Sequence, residues 1–424
     1  MINPKYVREN IDAIRASLAK RKSNYDLEGV LELDRKWRDV LADTQKLQAE
    51  RNKASLQVSE LKKKKEDDLA AQIIKTMGAL KEKLDENQRA VEDYEKQIDK
   101  QLMSLPNILH ESVPYGVDDT QNVVVRKFKE PKANANARGH EEIALKLDLI
   151  DIERAAKVSG ARFYYLKGDL VILEQSLIRY SLDYLVQKGY TPIEPPFMMR
   201  EEAYRGVTSL DDFESALYKV GGGDDNDNLR LIATSEHPMA AMHCKEIIDK
   251  AKLPLRYAGI SPCFRMEAGT HGKDTKGIFR VHQFNKIEQF IFARQEDSWK
   301  LFDELIENSE HIFKSLDMPY RVVNICTGDI GIVAAKKYDI EVYLPSQDKY
   351  REAVSCSNCT DWQGIRLDIK YEEGGERKYV HTLNSTAVSL ARAIVAIIEN
   401  YANDDGTIRV PDVLVPYMNK RTIG

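Results

Sequence analysis

The fold is decided by residues 261–290, SPCFRMEAGTHGKDTKGIFRVHQFNKIEQF. The stretch reads as a strand, a long loop that contains glycine, and a second strand. Alternate residues of a strand share one face of a sheet. The first strand is therefore expected to carry Arg265 and Glu267 opposite Phe264 and Met266. The second is expected to carry one polar and aromatic face, formed by Arg280, His282, Phe284, Lys286 and Glu288, and one apolar face, formed by Phe279, Val281, Ile287 and Ile291.

The polar face of this strand pair has the side chains that a nucleotide needs. Guanidinium groups bind phosphates, an aromatic ring stacks on a base, and carboxylates accept hydrogen bonds from amines and hydroxyls. The alternative is a solvated sheet face with cross-strand salt bridges. The loop sequence Gly272-Lys273-Asp274 is not a P-loop, because no Ser or Thr follows the lysine.

Three further segments carry candidate site residues. In LIATSEHPM, residues 231–239, Thr234 and Glu236 are expected to share a face of a short strand. In KYREAVSCSNCTDW, residues 349–362, Glu352 and Ser355 offer the oxygen ligands that Mg²⁺ prefers. The third segment, HTLNSTAVSLARAIVAIIEN at 381–400, is expected to form a polar turn, Asn384–Thr386, before an apolar helix.

That apolar helix carries one basic residue, Arg392. If it is buried, its guanidinium needs an anionic partner. The partner is either a ligand phosphate or a local carboxylate, and the sequence leaves both open.

The N-terminal quarter has a different pattern. Apolar residues recur at alternating spacings of three and four over 30–61 and again over 73–98, with a charged turn at 62–68. Two such seams with a short link predict an antiparallel helical coiled coil. Each helix of about 32 residues would be roughly 48 Å long, which suggests an arm for reaching a large partner. The alternative is a dimerisation coiled coil.

Composition sets the remaining bounds. The chain has 424 residues, 42% of them hydrophobic and 31% charged, which suggests more than one domain and a sizeable core. The net charge of −5 disfavours a surface that is basic throughout, but it allows a local basic patch. No apolar run predicts a signal peptide or a membrane span. The five cysteines are expected to be reduced thiols, and one Cys-x-x-Cys pair, Cys356 and Cys359, without a second ligand pair predicts no zinc.

Together these segments resemble the class II aminoacyl-tRNA synthetases, and in particular the common type of seryl-tRNA synthetase. GYTPIEPPFMMR at 189–200 resembles motif 1, with Pro195-Pro196 at the family's dimer interface. FRMEAG with RVHQFNKIE resembles motif 2, and LNSTAVSLARAIVAIIEN resembles motif 3. IATSEHP resembles the serine-binding element, REAVSCSN resembles the element that binds ATP and magnesium, and the heptads stand where the family has its tRNA-binding hairpin.

The resemblance implies an α+β fold, in which helices flank an antiparallel sheet and an N-terminal coiled-coil arm precedes it. It implies a tRNA-binding domain at 1–110 with a hairpin at about 27–102, a linker at 111–139 and a catalytic core at 140–424. It also implies site residues. Arg265 and Arg392 would be catalytic, and Glu352 and Ser355 would bind Mg²⁺. Serine would contact Thr234, Ser235, Glu236, Arg265, Glu288, Asn384 and Thr386. ATP would contact Arg265, Met266, Glu267, Arg280, Val281, Phe284, Glu352, Ala353, Val354, Ser355 and Arg392.

The activity implied by the resemblance is that of a serine–tRNA ligase. Serine and ATP would give seryl-adenylate, and tRNA(Ser), or tRNA(Sec) where it is present, would take the seryl group. The chain is then expected to be a cytoplasmic homodimer. Two alternatives are a relative that aminoacylates a carrier protein and a catalytically silent RNA-binding paralogue. The long arm disfavours the first, and the intact charged residues disfavour the second.

Overall fold

A computed structural model describes residues 4–131, 137–209, 214–221, 228–267 and 276–424. The chain divides into two units, Met1–Pro106 and Asn107–Gly424. No helix within the described ranges is both long enough and apolar enough to cross a membrane.

The first unit is built from four helices. Two short helices, α1 (Pro4–Glu9) and α2 (Ile11–Arg21), precede the long pair α3 (Leu27–Lys63) and α4 (Asp67–Met103).

The long helices pack against each other along the heptad seams. Val30 and Thr44 of α3 and Leu84, Val91 and Ile98 of α4 are buried, and all five belong to the heptad series. The predicted helical hairpin is confirmed, and both helices extend beyond the heptad pattern, α3 by five residues in total and α4 by eleven. Capping explains the start of α3, since the Asp26 side chain accepts a hydrogen bond from the backbone N–H of Gly29.

The second unit is organised around an eight-stranded sheet. Its order is β1-β10-β11-β12-β15-β9-β8-β4, and all neighbours are antiparallel except β4 and β8. These strands are β1 (Val123–Phe128), β4 (Thr191–Ile193), β8 (Leu255–Phe264), β9 (Gln283–Ala293), β10 (Tyr320–Asn324), β11 (Lys336–Leu344), β12 (Lys349–Asn358) and β15 (His381–Ser389).

Shorter strands and nine helices surround the sheet in the described part of the second unit. The strands are β2 (Ile150–Asp151), β3 (Tyr165–Leu166), β5 (Met198–Arg200), β6 (Leu229–Leu231), β7 (Ile247–Ile248), β13 (Lys370–Glu373), β14 (Glu376–Tyr379), β16 (Ile408–Arg409) and β17 (Thr422–Ile423). The helices are α5 (His140–Lys146), α6 (Ile152–Ser159), α7 (Asp169–Gln187), α8 (Glu201–Val207), α9 (Glu236–Ala241), α10 (Ser298–Ser315), α11 (Trp362–Arg366), α12 (Leu390–Tyr401) and α13 (Val415–Met418).

The main core lies where α7, α10 and α12 cover the sheet. Helix α12 is buried along nearly its whole length, and this is the reason for the long apolar run after Arg392. The predicted α+β architecture of an antiparallel sheet flanked by helices is confirmed.

Two expectations about local structure were wrong. The segment treated as a linker, 111–139, contributes β1, an edge strand that pairs with β10 through residues Val123–Phe128. Asn384–Thr386 is not a turn but the middle of β15, which pairs with β9 and β12. Both errors arise because strand pairing with distant partners overrides the local preference of polar residues for loops.

Candidate active site

A cavity of about 460 Å³ lies over the central strands β9, β11, β12 and β15 of the sheet. Its wall brings together residues that are up to 185 positions apart in the chain, from Val207 to Arg392. Fourteen of the predicted site residues line it: Thr234, Glu236, Arg265, Glu267, Arg280, Val281, Phe284, Glu288, Glu352, Ala353, Ser355, Asn384, Thr386 and Arg392.

Three predicted site residues do not line this cavity. Ser235 is fully buried, and its hydroxyl donates to the carbonyl of Gly259 at 3.4 Å. Val354 is buried in the main core. The side chain of Met266 is exposed outside the cavity, while its backbone N–H donates to the carbonyl of Ala216. Each stands beside a residue that does face the cavity, so contiguous sequence segments overstate the number of side chains in the site.

A β-bulge explains how Glu352 and Ser355 face one cavity. Residues three apart on a regular strand point to opposite faces. In β12, however, Val354 pairs with Ile340 and Glu352 pairs with Glu341, which leaves Ala353 as an extra residue. The bulge resets the alternation and turns Glu352 toward the same side as Ser355.

A second bulge acts in the same way on β15. Thr386 pairs with Glu288 and Val388 with Ile287, so Ala387 is the extra residue. Thr386 and Ser389, again three apart, both line the cavity as a result.

The predicted alternation of side chains between the two faces of the second strand applies only to the residues that belong to β9. Strand β9 begins at Gln283, so residues 279–282 are not extended strand. Phe279 and Val281, expected on the face opposite Arg280, line the same cavity as Arg280. Glu267 likewise follows the end of β8 and has a left-handed backbone with φ +47°.

Thr234 and Glu236 reach the cavity by another route than the short strand that was predicted. Thr234 precedes helix α9, and Glu236 is the first residue of that helix. The Thr234 hydroxyl accepts a hydrogen bond from the backbone N–H of Glu236 at 3.2 Å. This local turn leads into the helix, whose N-cap is Ser235, and both side chains line the cavity.

Carboxylates form one end of the cavity. Oε1 of Glu236 accepts from Asn384 at 3.1 Å and from Gln363 at 3.2 Å. Burial, reinforced by the nearby charge of Glu288, raises the pKa of Glu236 to about 7. Burial also raises the pKa of Glu288, which accepts from the Thr386 hydroxyl at 3.3 Å.

Lys286 is a residue of this end that the sequence analysis did not place in the site. Its ammonium lies 2.5 Å from Oε2 of Glu288 and donates to the Thr234 hydroxyl at 2.7 Å. The side chain is only 7% exposed, so the ion pair is shielded from solvent. The alternation along β9 placed Lys286 on the face of Phe284 and Glu288. The alternation of the strand is therefore a signal for this position, but a lysine on such a face also fits the alternative of a solvated face with cross-strand salt bridges.

Guanidinium groups and aromatic rings form the other end. The guanidinium of Arg265 lies 5.3 Å from the ring centre of Phe284, and its Nε donates to the carbonyl of Ala233. Arg280 makes a 2.8 Å ion pair with Glu267. A flat guanidinium over an aromatic face marks a slot that also suits a planar base.

Arg392 has the local carboxylate partner that was one of the two alternatives. Its Nη1 lies 3.2 Å from Oε1 of Glu352 and donates to the Glu352 carbonyl at 2.8 Å. Burial alone would raise the pKa of Glu352. The charges of Arg392, Lys337 and Arg265 outweigh it and lower that pKa to about 2, so the carboxylate is ionised at neutral pH.

Lys337 is a second cation of the wall that the sequence did not single out. It lies 3.4 Å from Asp339, a buried carboxyl whose pKa is raised to about 7 chiefly by burial. With Arg265, Arg280, Lys286 and Arg392 it gives the wall five cations against four carboxylates. The cavity therefore suits a ligand that carries more negative than positive charge.

Among the residues that the structure describes, no cluster of three or more His, Cys, Asp or Glu side chains could hold a metal ion. The Cys359 thiol borders the cavity and receives a hydrogen bond from Asn384, and burial raises the pKa of this thiol well above its usual range. It is therefore a protonated thiol at neutral pH.

An antiparallel sheet that carries arginines, an aromatic slot and paired carboxylates on the strands around one cavity defines the catalytic core of a class II aminoacyl-tRNA synthetase. Residues 218–401 match the family of the tRNA synthetase class II core domain (G, H, P, S and T), and residues 1–109 match the seryl-tRNA synthetase N-terminal domain. The chain belongs to the seryl-tRNA synthetase family, the serine–tRNA ligases.

Relatives and solved structures agree along the whole chain. The serine–tRNA ligase of Methanospirillum hungatei is 50% identical, with 99% of each chain covered. The crystal structure of the Pyrococcus horikoshii seryl-tRNA synthetase complexed with ATP is 45% identical, with a TM-score of 0.94 over 100% of this chain and 99% of that one. The cytoplasmic enzyme of Naegleria fowleri in complex with AMP is 37% identical, with a TM-score of 0.88 over 98% and 96% of the two chains.

Proposed function

We propose that this chain activates L-serine with ATP in the cavity described above and transfers the seryl group to tRNA(Ser), and to tRNA(Sec) where that tRNA is present. A serine carboxylate oxygen attacks the α-phosphorus of ATP, the bond to the β-phosphate oxygen breaks, and pyrophosphate leaves with the electron pair. The terminal adenosine hydroxyl of the tRNA then attacks the seryl carbonyl carbon and displaces AMP. The observation that carries the proposal is one cavity in which two buried carboxylates, Glu236 and Glu288, lie at one end, and three guanidinium groups with an aromatic ring lie at the other.

The hydrogen bonds at the carboxylate end indicate which residues bind the ammonium of the substrate serine and which bind its oxygen atoms. The Thr234 oxygen already accepts from Lys286 and from the backbone N–H of Glu236, and neither of these groups can accept in return. Its own proton is therefore left to donate to a substrate oxygen. Thr234 is therefore unsuited to accept a hydrogen bond from the substrate ammonium, and the ammonium is expected to bind a carboxylate.

Of the two carboxylates, we assign the ammonium to Glu236. Lys286 neutralises Glu288 at 2.5 Å, which removes most of the attraction of Glu288 for a second cation. Glu236 makes its hydrogen bonds to two neutral amides, and the cations Lys286 and Arg265 act on it only from beyond the distance of a direct ion pair. Glu288 and Thr386 then receive the serine hydroxyl, a neutral group that can both donate and accept. If alanine were bound in place of the substrate serine, Glu288 and Thr386 would lack a hydrogen-bond partner. This loss costs roughly 1 to 3 kcal/mol of binding free energy.

At the other end, we assign the base to the face of the Phe284 ring, and the triphosphate to the arginines. Arg265 also bridges to the serine carboxylate, which places it at the reacting phosphate. Arg280 and Arg392 hold the γ-phosphate end. Positioning and charge neutralisation of this kind supply most of the catalysis in reactions at phosphorus.

Mg²⁺ fits beside this triphosphate site. Glu352 is ionised, and its carboxylate and the Ser355 hydroxyl are hard oxygen ligands on one side of the bulged strand β12. When bound, Mg²⁺ neutralises phosphate charge. Glu352 and Arg392 form an ion pair at 3.2 Å. In the loaded site Glu352 would hold the metal ion and Arg392 would bind the phosphate.

The experiment that tests the activity is serine-dependent exchange of pyrophosphate into ATP, followed by charging of tRNA(Ser). Both reactions are expected. Exchange without charging of tRNA would favour the carrier-protein alternative, and the absence of both would favour a silent RNA-binding paralogue. Gel filtration with light scattering tests the expected homodimer, and cell fractionation tests the expected cytoplasmic location.

The helical hairpin is assigned to tRNA binding. Replacing residues 45–85 with a short Gly/Ser bridge removes the distal hairpin but keeps the ion pair between Arg8 and the buried Asp34 at its base. Serine-dependent exchange should remain, because every assigned ATP and serine residue lies after position 230. Charging of tRNA should fall severely, and normal charging by the shortened protein would refute the assignment. Lysines at the hairpin turn, if they contact phosphates, should make tRNA binding sensitive to salt.

A further inference from the structure

A buried histidine and a buried glutamate lie next to the cavity without any role in the reaction described above. The side chains of His140 and Glu399 are 8% and 0% exposed. Oε1 of Glu399 accepts from the His140 backbone N–H at 3.2 Å and contacts Nδ1 of its ring at 3.0 Å. Oε2 accepts from the backbone N–H and the hydroxyl of Ser346, at 3.2 and 2.7 Å. Burial would raise the pKa of Glu399, but these hydrogen bonds lower it overall, so the group is a carboxylate.

The hydrogen bond made by the other ring nitrogen of His140, Nε2, determines the tautomer of the imidazole. Nε2 of His140 lies 3.2 Å from the backbone nitrogen of Ile278. A backbone N–H can only donate, so Nε2 accepts and the ring proton is on Nδ1, where it is donated to Glu399. The neighbouring residue, Gly277, has φ +71°, and a Cβ there would lie 2.0 Å from Nε2. The close approach of the ring to this backbone therefore requires glycine.

The segment held by this ring leads directly into the cavity. Ile278 is followed by Phe279, which is only 5% exposed and lines the wall. The ring centre of Phe279 lies 5.1 Å from the guanidinium carbon of Arg392 and 4.6 Å from that of Arg351. Arg392 is thus oriented by Phe279 on one side and by Glu352 on the other.

Glu399 joins this segment to a second one. Ser346, bound by Oε2, lies in the turn between β11 and β12, three residues before β12 begins. Strand β12 carries Arg351, which contacts Phe279, and Glu352, which contacts Arg392. The Glu399 carboxylate therefore holds two backbone segments in place, Ser346 directly and Ile278 through His140. These two segments lead to the contact between Phe279 and Arg392.

We propose that His140 and Glu399 are positioning residues of the ATP site, which act through the backbone of Ile278 and Ser346 to hold Phe279 and Arg392 in place for the triphosphate. The inference rests on the proposed function, because it takes Arg392 as a phosphate ligand. A merely structural role would be that of any buried polar pair, whose loss lowers the stability of the fold without distinguishing between the substrates.

Three variants and a matched control separate these two roles. His140→Leu removes the acceptor for the Ile278 N–H, and Glu399→Gln keeps the side-chain volume but cannot accept all four hydrogen bonds. His140→Gln can still donate to Glu399 and accept from Ile278, so it is the conservative rescue. His381→Leu removes another largely buried histidine, whose Nδ1 bonds to the Ser298 hydroxyl at 2.8 Å, and it does not line the cavity.

The readouts are pyrophosphate exchange with each substrate varied in turn, and hydrogen–deuterium exchange of the peptide over residues 276–282. We expect His140→Leu and Glu399→Gln to raise the KM for ATP about tenfold, which corresponds to about 1.4 kcal/mol, with the KM for serine within twofold. We expect faster amide exchange at Ile278 in His140→Leu. His140→Gln should recover most of the ATP affinity, and His381→Leu should leave both KM values unchanged.

The outcomes keep this inference apart from the proposed function. If the wild-type protein shows no serine-dependent exchange, the proposed function fails. If the wild-type protein is active and Arg392→Ala weakens ATP, but folded Glu399→Gln keeps the wild-type KM for ATP, the positioning role is overturned. Equal rises in both KM values, or the same effect from His381→Leu, would also overturn it. Because Glu399→Gln preserves volume, it keeps the test decisive even if His140→Leu does not fold.

Discussion

The raised pKa of Glu236 makes the use of serine depend on pH in a way that can be calculated. If the substrate ammonium binds this carboxylate, only the ionised form of Glu236 is competent in the free enzyme. With a pKa of about 7, the ionised fraction is about 0.9 at pH 8 and about 0.1 at pH 6. The kcat/KM for serine should therefore fall about tenfold between these two pH values. At saturating serine the effect should vanish, because the bound ammonium favours the carboxylate and lowers its pKa.

The direction of this pH dependence follows from the pKa of Glu236 in the free protein. Burial and the charge of Glu288 favour the protonated carboxyl, so acid removes the binding partner of the ammonium and alkali restores it. The neighbouring His237 does not interfere, because burial lowers its pKa to about 3 and it stays neutral over the whole range.

The assay is pyrophosphate exchange from pH 6 to pH 8 at saturating ATP and Mg²⁺, with serine varied at each pH. Glu236→Gln provides the comparison: its kcat/KM for serine should be low at every pH and should lack the step near pH 7. Glu288→Gln should retain a step but displace it to lower pH, because the charge of Glu288 contributes to the raised pKa of Glu236. A wild-type kcat/KM for serine that is flat from pH 6 to pH 8, in a protein that remains folded, would refute the assignment of the ammonium to Glu236.

Three further predictions test other parts of the site. Phe284→Ala should raise the KM for ATP more than the KM for serine, whereas Glu288→Ala should do the reverse; Glu288→Ala should also destabilise the fold by about 3 to 5 kcal/mol in urea unfolding, because it leaves Lys286 buried without its partner. An unchanged KM for serine in folded Glu288→Ala would remove this carboxylate from the serine site. Glu352→Gln should raise the Mg²⁺ concentration needed for half-maximal exchange, and a magnesium titration that superimposes on the wild type would exclude Glu352 as a ligand. Elemental analysis of protein prepared in metal-free buffer should find no stoichiometric zinc, and one tightly bound zinc per chain would contradict this expectation.

Much of the fold and of the site could be predicted because the signals are local. The alternating three and four spacing of the N-terminal seams requires nothing beyond helix geometry, and it gave the hairpin within a few residues at each end. The polar face of 284–288 follows from the period of a strand, and β9 has that period from Gln283 onward.

The errors fall where a local pattern was extended past the end of its element. Alternation was carried back to Phe279 and Val281, although β9 has not yet begun there. Thr234 and Glu236 are expected on a strand, although they form a local turn that leads into a helix. The two ends of an element depend on contacts that are not encoded in its own period.

The sequence by itself determined the residue types of the chemistry and the two repeating patterns that form the hairpin and the strand faces. Only the tertiary structure decided which of those residues share a cavity. The bulges at Ala353 and Ala387 are set by pairing with other strands. They put Glu352 on the same side as Ser355, and Ser389 on the same side as Thr386. The hydrogen bond from Lys286 to Thr234 and the link from His140 to Glu399, 259 residues away, are likewise long-range contacts. No periodicity reports such contacts, because their free energy arises from burial and partner geometry that exist only once distant segments have met.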